Sequence, residues 1–260
     1  MKLRLSYLYA ALLFVCILLL WELGATSTRI QFLFASPHSI VASLIKHLPT
    51  LVYDTLFTGF ESLLGFLIGI IGGTFFGFAL WYSPKIAEII YPYLFVLGII
   101  PVIAFAPLII IWFGIGIWMK IAMAAFGTFI ISLTQAYEGA KSIDVEEFRL
   151  LKVFGASRAQ VLWKVIFPAS LSWVFASMKL NIGVALVGAF IGEFIAANHG
   201  IGHFMLLSGS LFDIPAVFAG GIFMIILALL FNCIILFVEL QKMRIIRFFS
   251  IDNTVRALMK

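Results

Sequence analysis

The chain has 260 residues, 63% of them hydrophobic and 11% charged, with a net charge of +5 and a mean hydropathy of +1.16. Soluble domains run at about 45–50% apolar and about 25% charged residues, so this composition excludes a water-covered surface. It points to an all-α integral membrane protein, in which excess Lys and Arg report orientation rather than a nucleic-acid partner.

A crossing needs about 20 mostly apolar residues. Runs at 5–23, 56–82, 89–112, 117–137, 171–197 and 214–240 qualify, predicting six transmembrane helices. The first follows MKLR and is too long and too poorly provided with a cleavage site for a signal peptide, so it reads as an uncleaved span. Between the first two runs, SPHSIVASLIKHLP repeats Ile40, Val41, Leu44, Ile45 and Leu48 at helical spacing after Pro37 and the cap candidate Ser39. It predicts a short amphipathic helix at 37–50 on the membrane surface. The organisation expected is a single transmembrane domain over 1–260, with a core at about 55–245 and the first span and amphipathic segment peripheral.

In the second run Gly65, Gly69, Gly73 and Gly77 recur every fourth residue. They form a bare helix face that lets a neighbouring helix approach closely, as a sliding contact or as static packing. In the third run Pro92, Pro101 and Pro107 remove helix hydrogen bonds and predict kinks, either in a pathway-lining helix or in a bent packing helix. Glu61, Lys179 and Glu193 are ionisable groups within or near the ends of spans. Such groups mark a function or a pair, or reach an interface. Glu61 and Glu193 join Pro101 and Pro107 as pathway candidates. His199 and His203 have an i, i+4 spacing, but Gly200 and Gly202 argue against a regular helix and for a polar outer loop. No metal site is expected. Cys16 and Cys233 read as small buried hydrophobes.

The basic segment FRLLKVFGASRAQVLWKVIFP spans Phe148 to Pro168. Asp144 and Glu147 resemble a capping box, a helix runs to Phe154, and Gly155 suits a left-handed C-cap. Ser157 and Gln160 then cap a second helix. Placing the N-terminus in the cytoplasm puts most Lys and Arg residues on that side, including this elbow and the C-terminal KMRIIRF. Apolar Leu150, Leu151, Val153 and Phe154 near the corner would suit a protein groove, or the segment could lie on lipid.

The elbow resembles the cytoplasmic signature of bacterial ABC-importer permeases: EAA, three residues, Gly, nine residues, then I-x-L-P. Gly155 and Pro168 have the required separation, with Val165 and Phe167 in place of Ile and Leu; Arg149, Leu150 and Leu151 depart from EAA. GASRAQVLWKVIFPASL, WFGIG at 112–116, SPHSIVASL at 36–44, LLGFLIG at 63–69 and SLFDIPAVFAG at 210–220 are similar to the nitrate/sulfonate/taurine/bicarbonate group of these permeases. Glu61 in ESLLGF and APL at 106–108 look more like permeases for thiamine's pyrimidine precursor.

The resemblance implies a type I permease fold in the bacterial inner membrane with both termini cytoplasmic. It also implies a second permease copy, two ATPase subunits and a periplasmic solute-binding protein as partners. The elbow would be the ATPase-coupling helix, through Arg149, Leu150, Leu151, Val153, Phe154, Gly155, Ala156, Ser157, Arg158 and Pro168. The chain contains no G-x-x-x-x-G-K-[ST] loop, so no cofactor is expected in it and ATP and Mg belong to the ATPase. The alternative is a partner-free secondary carrier or channel, which would want central charges and an internal repeat. A membrane enzyme would need a clustered nucleophile and base or metal ligands, and neither is evident.

Overall fold

A computed structural model describes residues 2–25, 34–142, 153, 155–196 and 198–258, with the side chains of 2–6, 8, 10–11 and 242–258 left aside. Among the described residues every element is helical: α1 (Lys2–Ala25), α2 (Pro37–Tyr82), α3 (Pro84–Ile99), α4 (Ala106–Phe113), α5 (Ile117–Lys141), α6 (Arg158–Ala196), α7 (Ile201–Ser210) and α8 (Ile214–Leu258). Four helices among the described residues are long and apolar enough to cross a membrane, or five when the bent pair Pro84–Ile99 and Val102–Phe113 counts as one. Of the expected first span, the fully described apolar stretch is Leu12–Ala25.

The chain divides into two compact units. The first comprises Met1–Thr58 and Glu193–Ile225. Its core is Leu51, Phe204, Ala216 and Ala219, packed by Leu44, Met205 and Phe223. The helix expected at 37–50 forms, but not as a separate element. Residues 37–50 are the first turns of α2, which continues through Pro49 to Tyr82. The polar stretch after Pro49 does not break the helix because its groups have partners. Thr55 Oγ1 donates to the Leu51 carbonyl at 2.5 Å, and Asp54 and Thr58 meet the start of α7.

The second unit comprises Gly59–Gly192 and Ile226–Lys260. The expected kinked third span is a broken pair instead, bent by 99°. α3 carries Pro92 inside it and ends at extended Ile100. Pro101 sits in the break, one 3-10 turn follows at Val102–Phe105, and Pro107 lies in the first turn of α4. A proline there loses nothing, because its missing N–H would have had no intrahelical partner. Pro107 therefore starts a helix, while Pro101 separates two.

In a bilayer the outward surface faces hydrocarbon, so small apolar groups gain nothing by turning inward. Cys16 and Cys233, expected to be buried, are exposed on their helices, and α8 presents Ile225, Leu229, Leu230, Ile234 and Phe237 outward.

Candidate functional site

The elbow is described from Gly155 onward. Arg149, Leu150, Leu151 and Phe154, with the Asp144–Glu147 start, lie outside the described residues. Val153 is 84% exposed. Gly155 has φ +77°, the left-handed region that a Cβ disfavours. Ser157 then caps the following helix: its hydroxyl accepts from the Gln160 N–H, and the Gln160 side chain accepts from the Ser157 N–H at 2.8 Å. The two reciprocal bonds complete a capping box.

From Leu162 to Ile166 the helix widens into a π turn, with the Phe167 N–H donating to the Leu162 carbonyl. Pro168 supplies the reason. It lacks an N–H, and its ring crowds the carbonyl four residues back, which a wider turn relieves. Ala156, Leu162 and Phe167 pack on a core of Phe78, Ala140, Val161 and Ile166. The Arg158 guanidinium lies 5.9 Å from the Trp81 ring and 5.6 Å from the Tyr82 ring, a cation–π contact that ties the elbow to the end of α2. This half of the elbow is thus a braced corner.

Deeper in the second unit, α5 is gripped on two sides. Gly65, Gly69, Gly73 and Gly77 of α2 lie against it so closely that an added Cβ has no room. At Gly65 it would lie 2.8 Å from the Ile121 carbonyl oxygen, and at Gly77 2.5 Å from that of Leu133. Gly188 of α6 is equally tight, with a Cβ 2.8 Å from the Ala124 nitrogen. Thr128 Oγ1 donates within α5 to the Ala124 carbonyl at 2.9 Å, and the close approach brings it within 3.4 Å of the Gly65 carbonyl.

The same contact buries two opposite charges. Glu61 of α2 forms an ion pair with Lys120 of α5, their side chains 0% and 8% exposed. The aliphatic stem of Lys120 packs on Gly192. Lys120 is thus a buried partner at the start of α5. A second polar knot joins α5 to α6: Asn181 Nδ2 donates to the Ser177 carbonyl at 3.0 Å and to Ser132 Oγ at 3.1 Å, and Ser132 Oγ donates to the Thr128 carbonyl at 2.6 Å. Lys179, also singled out by sequence, pairs with Glu239 of α8 at 2.6 Å, half-exposed.

In the first unit Glu193 is fully buried. Its Oε1 accepts from Thr58 Oγ1 at 2.6 Å and its Oε2 from the Gly202 N–H at 2.7 Å. Thr58 Oγ1 also accepts from the Ile201 N–H at 2.9 Å, and Asp54 Oδ1 from the Gly200 N–H at 3.0 Å. Three side chains thus satisfy successive amides at the start of α7, where partial positive charge favours carboxylates. His203 lies within α7, against the expectation of an irregular loop, because Gly200 (φ +114°) turns the chain just before the helix begins. The ring of His199 stacks on Phe57 at 5.3 Å. Among the described residues no group of three or more metal-ligating side chains comes together.

The elbow and the glycine stripe with Glu61 belong to the second unit, and Glu193 belongs to the first. Sequence reasoning passed over Lys120, Asn181, Asp54 and Thr58. One signal was available: Asp54, Thr58 and Glu61 at i, i+4 and i+7 share a face of α2, a polar stripe in an otherwise apolar helix.

The family model described as binding-protein-dependent transport system inner membrane component matches residues 65–242. Among relatives, the formylaminopyrimidine transport permease protein ThiX of Halalkalibacterium halodurans is 29% identical over 220 residues, covering 84% of this chain and 88% of its own length. The taurine transport system permease protein TauC of Escherichia coli is 34% identical over 154 residues, 59% of this chain and 56% of its own. Among solved structures, a chain of the MetNI methionine ABC transporter in inward-facing conformations shares the fold. It matches with a TM-score of 0.66 at 16% identity, covering 74% of this chain and 96% of that one.

Proposed function

Because the chain belongs to the family of binding-protein-dependent transport system inner membrane components, we propose that it lines the translocation pathway of an ATP-driven importer and receives the ATPase stroke through the elbow at 149–168. It is a multi-pass inner-membrane permease of the ABC class, a non-catalytic subunit whose ATPase is a separate chain and whose class works with a solute-binding protein.

In this proposal the chain has six spans and both termini in the cytoplasm, and the transporter holds two copies of the permease and two ATPase subunits. Homodimer pairing follows the commonest two-fold assembly. The chain itself holds no cofactor. The family match over 65–242 carries this reading, and the braced corner from Gly155 to Pro168 supports it locally. A segment that passes on a mechanical stroke must resist bending, and this one is held by a capping box, a small apolar core and two aromatic rings under Arg158. The solute is a small organic molecule of the formylaminopyrimidine or taurine and sulfonate kind, supported by the relatives above.

The test is transport by the assembled complex in proteoliposomes. Gly155→Pro or Arg158→Glu should leave membrane insertion intact while solute uptake falls to background. Wild-type uptake by both variants would remove the elbow from the coupling role.

A further inference from the structure

The face of the second unit between α2 and α6 is hollow. Ile71, Phe75 and Ala79 of α2 and Leu171, Val174 and Met178 of α6 wall a groove of about 630 Å³. Its walls are almost entirely hydrocarbon, so it suits an acyl chain better than a polar solute. One end differs in character. Tyr82 and Trp163 line it there, 45% and 65% exposed, and such amphipathic rings gather at the level of lipid headgroups. Arg158 lies over the Tyr82 ring, and its buried Nε has no hydrogen-bond partner among the described residues. Lys164 is exposed beside Trp163, on the π turn that widens α6 at this point.

We propose that this groove is a binding site for an anionic phospholipid, with an acyl chain between α2 and α6 and the phosphate held by Arg158 and Lys164. An apolar trough ending in an aromatic collar, with Arg158 over one ring and Lys164 next in sequence to the other, matches the lipid's own order of tail, interface and charged head. A zwitterionic lipid would place its own cation against the same two groups. The site is independent of which solute the protein carries.

The experiment is native mass spectrometry of the assembled transporter after incubation with vesicles of phosphatidylglycerol and phosphatidylcholine in equal amounts. Phosphatidylglycerol should be retained in preference. Arg158→Gln and Lys164→Gln should each lower that preference about fivefold, the effect of one basic residue at a lipid surface. Ala79→Phe, which fills the groove without altering charge, should remove bound lipid of both kinds. A photoreactive side chain at position 79 should capture lipid. Equal retention of the two lipids by the unaltered protein would overturn the proposal, as would capture at position 79 of a second copy of the chain or of another subunit.

Discussion

Glu61 and Lys120 show what a single pair decides in this protein. Each alone would be a charge held out of water, and together they lock α2 to α5 inside the second unit. Removing one partner of a buried pair leaves the other uncompensated, at a cost of about 3–5 kcal/mol. Glu61→Gln should therefore lower the unfolding temperature of the detergent-solubilised protein markedly, and Glu61→Lys combined with Lys120→Glu should recover most of it. If the single change is silent, the pair does not hold the two helices together. Glu61 was visible in the sequence as a costly intramembrane charge. Lys120 was not recognised as its partner, because the two lie 59 positions apart in sequence (120 − 61) and nothing local joins them. The same holds for Glu193 and Thr58, which lie 135 positions apart and are joined by a direct side-chain hydrogen bond.

At the scale of elements, the glycine spacing in α2 had a plain physical meaning before any coordinates: four bare positions on one face. The identity of the helix that fills that face did not follow from it. The structure supplies α5, with Gly188 of α6 gripping the same helix. Gly69→Ala should place a methyl group where Thr128 already stands, 2.8 Å from the Ala125 carbonyl oxygen, and overpacking of this kind costs about 1–3 kcal/mol. Gly183→Ala, in α6 with nothing within 4 Å, should be neutral or slightly stabilising, since Ala favours a helix over Gly by roughly 0.5–1 kcal/mol. Thermal unfolding of the two variants in parallel separates them, and equal behaviour would mean that α2 and α5 are not in tight contact. The prolines were harder to read. A proline at a helix start and one in a break look identical in sequence, and only the backbone path distinguishes Pro107 from Pro101.

For the whole molecule, the proposed division of labour makes the permease dependent on its partners. Solubilised in mild detergent from its native membrane, the tagged chain should bring an ATPase with it, and Gly155→Pro should arrive without one. Recovery of a stable oligomer lacking any ATPase would return weight to a partner-free carrier. Gly155 is the sharper place for this test because its φ of +77° excludes proline outright. An effect there is one of corner geometry rather than of lost side-chain contact.

Composition and the spacing of glycine, proline and cap residues determined that this chain is helical, lives in a membrane and carries a capped corner after Gly155, because these depend on solvent and on backbone preferences acting over a few residues. The order of its motifs was enough to place it among importer permeases. Tertiary structure decided which charges are paired, that residues 37–50 begin a long helix rather than lie apart, and that the third apolar run is broken. Those outcomes depend on whether a polar group or a freed backbone bond finds a partner, and the partner is supplied by residues far away along the chain.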